Sequence, residues 1–264
     1  MTLYEFGQGD IVSIGIFDSG LGGLSVLKGI HQLLPSHDLF YLADAAFAPY
    51  GKQPPSVILN RCEVMANFLL SKGVDLLVIA CNTATSIAAS TIRSYVSVPV
   101  VAMEPALKPA RLQSVSKKIA VLATPHTLAS QNLSDLILMM PDIKWQLAPC
   151  PGWVEAVENG EFNTPNTHSK IEAVIAPLLE LGVDTLVLGC THYPFLTPAI
   201  KEMYPQLGVI DSTDGVSRRV AQLVGEYGIK EGAGIVWGGC SRVDLTYYKR
   251  MQSLGIHRIM DEVF

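Results

Sequence analysis

An internal repeat constrains the fold of this 264-residue chain more than any other feature. Residues 73–81 and 182–190 each begin with Gly-Val-Asp, continue as an apolar run and end in a cysteine, Cys81 or Cys190. The apolar run predicts a buried strand in both places. A repeat of this kind indicates a duplicated structural unit. The sequence therefore predicts two similar halves that each present one thiol, which suits a base on one face of a substrate and an acid on the other.

A second, weaker similarity between the two halves has nearly the same spacing from the two cysteines. Each half opens with a strand that ends in a hydroxyl residue, at residues 14–19 and 119–124. Strands are predicted at residues 11–17, 39–43, 75–80, 98–102, 118–123, 144–148, 184–189, 208–211 and 234–237. Helices are predicted between them at residues 24–34, 56–72, 86–95, 125–139, 167–181 and 216–227. Because strands and helices alternate, both halves are expected to form parallel sheets with right-handed crossovers.

The composition agrees with this fold class. Only 16% of the residues are charged, whereas 49% are hydrophobic, which is typical of parallel strands buried on both faces. The prediction is an α/β fold of two pseudo-symmetric lobes, each a parallel sheet flanked by helices, with the active site in the cleft between them. The first lobe is predicted to comprise residues 1–101 and 212–264, and the second residues 102–211.

Charge, hydropathy and cysteine count exclude several classes of function. The net charge of −5 leaves no large basic patch, so no nucleic-acid partner is expected. No apolar run reaches the length of a membrane span and the N-terminal segment lacks the form of a signal peptide, which predicts a cytoplasmic protein without a membrane partner. Five cysteines without a Cys-x-x-Cys pair indicate neither a disulfide framework nor a metal site.

The two repeated cysteines are the strongest candidates for chemistry. Ligands of open parallel sheets bind beyond the carboxyl ends of the strands, where Cys81 and Cys190 are expected to lie. The positive end of a helix dipole favours the thiolate form of a cysteine at that place. The alternative is that both are small apolar core residues, as unpaired cysteines often are. The cysteines outside the repeat are interpreted as core residues: Cys62, Cys150 and Cys240.

Each of the other polar residues near these positions can have either a functional or a structural role. His192 follows Cys190 closely enough to be its proton partner, although a structural histidine is the alternative. The glycine-rich loop 18–23 precedes a helix and suits a carboxylate or phosphate, while Asp18 at its start could act only as a helix cap. Thr124 and Thr127 flank a proline at a helix start, where their hydroxyls can cap the helix or bind a substrate.

Four segments together resemble the signature segments of glutamate racemases, within the aspartate/glutamate racemase superfamily. They are residues 18–23, 49–51, 81–85 and 189–194, in the family's order and spacing. The resemblance extends from about residue 14 to residue 211. It implies interconversion of L-glutamate and D-glutamate, supplying D-glutamate for peptidoglycan synthesis. It also implies that the enzyme uses no pyridoxal phosphate and no metal and forms a homodimer.

The resemblance also implies roles for individual residues. Cys81 and Cys190 are the two catalytic acid/bases, one for the α-proton of each enantiomer. Asp18 is expected to assist Cys81, and His192 to assist Cys190. Glu158 corresponds best to the family's auxiliary glutamate. The substrate-binding positions implied in this way are Asp18, Ser19, Pro49, Tyr50, Gly51, Cys81, Asn82, Thr83, Thr124, Thr127, Cys190, Thr191 and His192.

Some alternatives remain open at this stage. Glu155 is the other candidate for the auxiliary carboxylate, because the local alignment is loose there. Phe47 stands where many members of the family carry a basic residue. The nearest alternative is an aspartate racemase. Its substrate is one methylene shorter than glutamate, a difference that sequence motifs distinguish poorly. A binding protein that captures a dicarboxylate without turning it over is a different class of function, although it would have no need for two reactive thiols.

Overall fold

The computed structural model of the chain describes residues 3–4, 13–242 and 244–260. Residues 11 and 12 of the strand predicted at 11–17 lie outside this part. The described residues form two compact units. One comprises those up to Met103 together with those from Thr213 onward, and the other is Glu104–Ser212. The first unit is therefore built from two separate stretches of chain, and the second from one.

The strands and helices are numbered here in chain order. The strands are β1 (Leu3–Tyr4), β2 (Ile14–Asp18), β3 (Leu39–Ala43), β4 (Leu76–Ile79), β5 (Val100–Ala102), β6 (Lys118–Ala123), β7 (Lys144–Pro149), β8 (Thr185–Gly189), β9 (Gly208–Asp211), β10 (Val236–Cys240) and β11 (Arg258–Met260). The helices are α1 (Leu24–Leu33), α2 (Pro55–Ser71), α3 (Asn82–Tyr95), α4 (Leu107–Gln113), α5 (Pro125–Leu128), α6 (Gln131–Leu138), α7 (Trp153–Glu158), α8 (Pro165–Glu180), α9 (Thr197–Met203), α10 (Thr213–Tyr227) and α11 (Leu245–Ser253). Two 3-10 turns cover Tyr50–Lys52 and Tyr193–Leu196.

Each unit contains one sheet whose described strands all pair in parallel. The order is β1-β11-β10-β3-β2-β4-β5 in the first unit and β7-β6-β8-β9 in the second. Four neighbouring strands of the first sheet, β3-β2-β4-β5, have the same order as the second sheet, β7-β6-β8-β9. In both, the second, first, third and fourth strands along the chain lie side by side. The predicted α/β class, with two parallel sheets flanked by helices, is confirmed, and the sequence repeat corresponds to this shared strand order.

Alternation along the strands places one core on each face of the second sheet. Leu122 of β6 packs in a cluster with Trp153 and Ile175, whereas its neighbour Val121 packs in another with Leu133. Successive side chains of a strand point to opposite faces, so a strand covered by helices on both faces must be apolar at every position. In the first unit, one cluster joins the sheet to α2 and α3. These cores hold the carboxyl ends of the strands in place.

Some predicted elements were wrong in extent. The helix predicted at 125–139 is two helices, α5 and α6, because the Ser130 hydroxyl accepts a hydrogen bond from the Leu133 N–H and starts a new helix. Helix α3 begins at Asn82 rather than at residue 86. The short elements α4, α9, α11 and β11 were not predicted, since segments this short show little periodicity.

Two kinds of feature are missing from the described part of the chain. No helix there combines the length and the apolar character needed to cross a membrane. In the same residues, no group of three or more His, Cys, Asp and Glu side chains is arranged to hold a metal ion.

Candidate active site

Cys81 lies at the carboxyl end of β4 and caps helix α3. Its backbone is extended, and its Sγ accepts a hydrogen bond from the Ala84 N–H at 3.4 Å. The thiol also lies 3.9 Å from the Ser19 Oγ, to which it can donate. A backbone N–H at a helix N-terminus favours negative charge on the atom it meets. An N-terminal N–H group of α3 therefore meets the sulfur of Cys81, an arrangement that favours negative charge there.

Asp18 ends β2, the strand next to β4, and is completely buried. Its Oδ2 accepts a hydrogen bond from the Gly23 N–H at 2.6 Å, and its Oδ1 lies 3.4 Å from the Ser19 hydroxyl. Gly23 is required here, because a Cβ would lie 2.7 Å from the Asp18 Cβ and 2.9 Å from the Tyr41 Oη. Asp18 thus stabilises its own loop and is connected through Ser19 to the sulfur of Cys81.

Asn82 and Thr83 occupy the first turn of α3 and are both buried. Among the described residues, neither the amide nitrogen nor the amide oxygen of Asn82 has a hydrogen-bond partner. A buried amide without partners costs about 1–3 kcal/mol, so such groups are rare outside functional sites. The helix itself is anchored elsewhere, since the Thr85 Oγ1 accepts a hydrogen bond from the Met103 N–H. Asn82 is therefore a strong candidate for a ligand contact.

Tyr50 of the segment 49–51 is buried, with its phenol donating a hydrogen bond to the Asp44 Oδ2 at 2.6 Å. Burial raises the pKa of Tyr50 far above its usual range, and the nearby Cys62 and Asp44 add to this. The phenol therefore remains a neutral donor. The sequence analysis missed Asp44, although a signal existed: it directly follows the carboxyl end of β3, as Asp18 ends β2.

Cys190 lies at the carboxyl end of β8, in the second unit. Its Sγ is 3.7 Å from the Nδ1 of His192, and the His192 Nε2 is 2.6 Å from the Glu158 Oε1. Glu158 is the last residue of α7. Thiol, imidazole and carboxylate thus form one hydrogen-bonded series, and the structure brings these three predicted residues together.

The surroundings of His192 favour the protonated imidazole. Burial alone would lower its pKa, but hydrogen bonds to Cys190 and Glu158, together with their negative charge, raise the pKa well above its usual value. A protonated imidazole donates at both nitrogens, one toward sulfur and one toward carboxylate. Glu155 lies earlier on α7, and its charge contributes to the raised pKa of Tyr193, which burial dominates.

Thr124 and Thr127 follow β6, the strand next to β8, and are buried. The Thr124 Oγ1 accepts a hydrogen bond from the Thr127 N–H at 3.4 Å and caps α5. The same Thr-Pro-x-Thr arrangement recurs at Thr164 and Thr167, which cap α8. Capping alone therefore accounts for the geometry of the first pair. Thr191, adjacent to Cys190, is also buried.

The remaining cysteines differ from the two candidates. All three are buried free thiols: Cys62, Cys150 and Cys240. Burial raises the pKa of Cys62 and Cys150 far above the usual value, and it raises that of Cys240 to about 11. A thiol in such surroundings stays neutral and inert. Their predicted role as core residues agrees with this environment.

Comparison with known proteins gives a consistent result. A sequence model of the Asp/Glu/Hydantoin racemase family matches residues 14–218. The glutamate racemase of Pseudomonas aeruginosa (strain PAO1) is 46% identical over 215 residues, which cover 80% of this chain and 81% of that protein. The structure of Escherichia coli glutamate racemase in complex with L-glutamate and the activator UDP-MurNAc-ala superposes with a TM-score of 0.86 at 26% identity, covering 95% of this chain and 98% of that one. Glutamate racemase from Thermus thermophilus, in complex with β-chloro-D-alanine, gives a TM-score of 0.80 at 32% identity, covering 96% and 97%.

Proposed function

Because the chain belongs to the Asp/Glu/Hydantoin racemase family and is an isomerase, we propose that it interconverts L-glutamate and D-glutamate. The choice of glutamate is supported by the name of the Pseudomonas aeruginosa relative and by the complexes of the Escherichia coli and Thermus thermophilus enzymes. The observation that carries the chemistry is the hydrogen-bonded series from Cys190 through His192 to Glu158.

The proposed mechanism uses two bases. The thiolate of one cysteine removes the Cα proton, and the thiol of the other delivers a proton to the opposite face of the resulting carbanion. The roles of Cys81 and Cys190 exchange for the other enantiomer. The cationic His192 stabilises negative charge on Cys190, and Glu158 keeps the imidazole protonated and oriented. On the other side, the N-terminus of α3 stabilises negative charge on Cys81, while the Ser19 hydroxyl accepts a hydrogen bond from the thiol and donates to Asp18, which links the sulfur to that carboxylate.

Substrate recognition in this proposal relies on groups at the carboxyl ends of the strands. The buried amide of Asn82 supplies both a donor and an acceptor for a bound amino acid, and satisfying it favours binding. The other proposed contacts, with the carboxylates and amino group, are made by Asp18, Ser19, Pro49, Tyr50, Gly51, Thr83, Thr124, Thr127, Thr191 and His192.

The proposal also covers cofactor use, location, assembly and domain organisation, which do not follow from the geometry of the site. The enzyme acts without pyridoxal phosphate and without a metal, as a cytoplasmic homodimer, and supplies D-glutamate for peptidoglycan. Residues 1–101 with 212–264 form one domain, and residues 102–211 the other. Analytical ultracentrifugation tests the dimer, and racemisation in a chelating buffer after dialysis tests the independence from metal.

The first test is to follow the circular dichroism of D-glutamate, and separately of D-aspartate, with purified protein and a reductant. Decay of the D-glutamate signal to zero, with D-aspartate unchanged, is the expected result. Loss of the D-aspartate signal instead would identify an aspartate racemase. If neither signal changed, the proposed turnover would be wrong for the protein without an activator, and the binding-protein alternative would be favoured. A Cys81→Ser/Cys190→Ser double variant is the control for contaminating racemases.

A further inference from the structure

Asp44 carries a charge that the proposed mechanism does not use. Its side chain is fully buried beside the end of β3. A buried carboxylate is costly unless it is paired with a cation and its lone pairs accept hydrogen bonds. The phenol of Tyr50 supplies one of these hydrogen bonds, but it is neutral. The counter-charge must come from elsewhere.

Arg61 of α2 supplies that charge in a two-point contact. Its Nη2 donates to the Asp44 Oδ1 at 2.8 Å, and its Nε donates to Oδ2 at 3.0 Å. Burial alone would lower the pKa of Arg61, but the hydrogen bonds to Asp44 and its charge raise it. A planar guanidinium fixes the orientation of a carboxylate in this arrangement, which a lysine ammonium cannot do.

Phe47 covers the guanidinium and ties it to the same loop. The Arg61 Cζ lies 4.5 Å from the centroid of the Phe47 ring, a cation–π distance. The loop is also closed by its own hydrogen bonds, from the Phe47 N–H to the Asp44 carbonyl and from the Gln53 amide to the Phe47 carbonyl. Only 12% of the Arg61 side chain is exposed. The loop therefore packs around one arginine that comes from a neighbouring helix.

We infer that Arg61 is a positioning residue for substrate binding: it fixes the Asp44 carboxylate, which in turn fixes Tyr50 and the segment 49–51. The inference rests on the proposed function, in which this segment contacts the substrate. The Asp44 Oδ2 accepts from both Tyr50 and Arg61, so a rotation of the carboxylate moves the partner of the phenol as well. Loss of the two-point contact between Arg61 and Asp44 shifts the segment 49–51 and weakens substrate binding. Proton transfer at the two cysteines is little affected.

The test is steady-state racemisation of glutamate by Arg61→Lys, which keeps the charge and loses the two-point geometry. KM is expected to rise about tenfold with kcat within about twofold of wild type, the signature of weakened binding. Phe47→Leu should raise KM in the same direction by a smaller factor. The matched control is Arg93→Lys on α3, an exposed arginine of the same unit that contacts only a backbone carbonyl in the described contacts, and its KM should be unchanged.

Arg61→Met leaves the carboxylate unpaired and tests the inference only if it folds. The double variant Asp44→Asn/Arg61→Met leaves no buried charge unpaired but also lacks the two-point contact, so its KM should be raised at least as far as that of Arg61→Lys. A wild-type KM in Arg61→Lys, or a fall in kcat at constant KM, would overturn the role of Arg61. Absence of turnover in the wild-type protein would instead overturn the proposed function.

Discussion

Cys81 and Cys190 occupy the same position in two copies of one strand order, yet their surroundings differ. Cys81 caps the 14-residue helix α3 and receives a backbone N–H from Ala84. Cys190 is followed by a 3-10 turn and lies beside the His192–Glu158 pair. Backbone dipoles thus support negative charge on one sulfur, and a side-chain cation supports it on the other. The two halves therefore share the place of the thiol but differ in the groups that surround it.

The largest expected effect tests whether both thiols are needed. Cys81→Ser and Cys190→Ser should each lower racemisation by about a thousandfold or more, because a serine hydroxyl is a poor acid and base at neutral pH. Each variant should still eliminate chloride from only one enantiomer of β-chloroalanine, which pyruvate formation measures. A variant that racemises glutamate at a near wild-type rate would refute the two-base mechanism.

The next effect concerns the side-chain cation, His192, that lies beside Cys190. Glu158→Gln should lower kcat about tenfold to a hundredfold, since a positioned partner of a catalytic acid is lost. It should also lower the pKa of His192, because the charge of Glu158 helps to raise it. Activity that needs the imidazolium is lost as pH rises through that pKa, so the alkaline limb of the pH–rate profile should move to lower pH.

Glu155→Gln is the matched control on the same helix and should leave that limb in place. If Glu155→Gln moved the alkaline limb and Glu158→Gln did not, the assignment of the auxiliary carboxylate would be reversed.

The raised pKa of His192 also affects the free energy of unfolding. The contribution of His192 is complete below about pH 6.5 and is lost as pH rises through its folded pKa.

A third prediction compares the aspartates of the two Gly-Val-Asp copies. Asp184 accepts hydrogen bonds from the Ser114 hydroxyl and the Ser116 N–H. Burial alone would raise its pKa, but these hydrogen bonds outweigh it and hold the pKa at about 2. Asp75 is exposed. Asp184→Asn should lower the free energy of unfolding by about 2 kcal/mol, and Asp75→Asn by less than about 0.5 kcal/mol.

Urea denaturation at pH 7 and at pH 3 measures this difference. The stabilisation by Asp184 should be complete above about pH 4 and disappear as pH falls toward its folded pKa. Equal losses in both variants at pH 7 would mean that the two copies use the motif in the same way.

The smallest effect separates capping from binding on the Cys190 side. Thr124→Ala and Thr164→Ala should each lower the free energy of unfolding by about 1 kcal/mol, because each removes the same kind of helix cap. Only Thr124→Ala should also raise KM for glutamate, if its hydroxyl contacts the substrate as proposed. Thermal melts and initial rates of both variants decide this. A KM unchanged in Thr124→Ala would leave capping as its sole role.

The sequence allowed the strands and the repeated cysteines to be predicted because their signals are local. Continuous apolar runs identified β3, β6 and β9 to the residue. The break at Ser130 was missed, since a capping serine inside an apolar period has no distinctive pattern. Contacts between distant residues left no local signal either. Arg61 and Asp44 are 17 residues apart, and the contact of Glu158 with His192 was not predicted, because family resemblance only matched Glu158 to an auxiliary glutamate.

The interrupted chain path of the first unit has a consequence for how the protein is made. Asp38 accepts a hydrogen bond from the Ile235 N–H, 197 residues further along the chain, and β10 then pairs with β3. A continuous stretch such as Glu104–Ser212 can fold soon after it leaves the ribosome, whereas β3 waits for its neighbour until β10 has been synthesised. The half that carries Cys190 is therefore expected to mature first. The half that carries Cys81 keeps an open sheet edge until β10 is synthesised, and that edge is where a nascent chain is most exposed to mispairing.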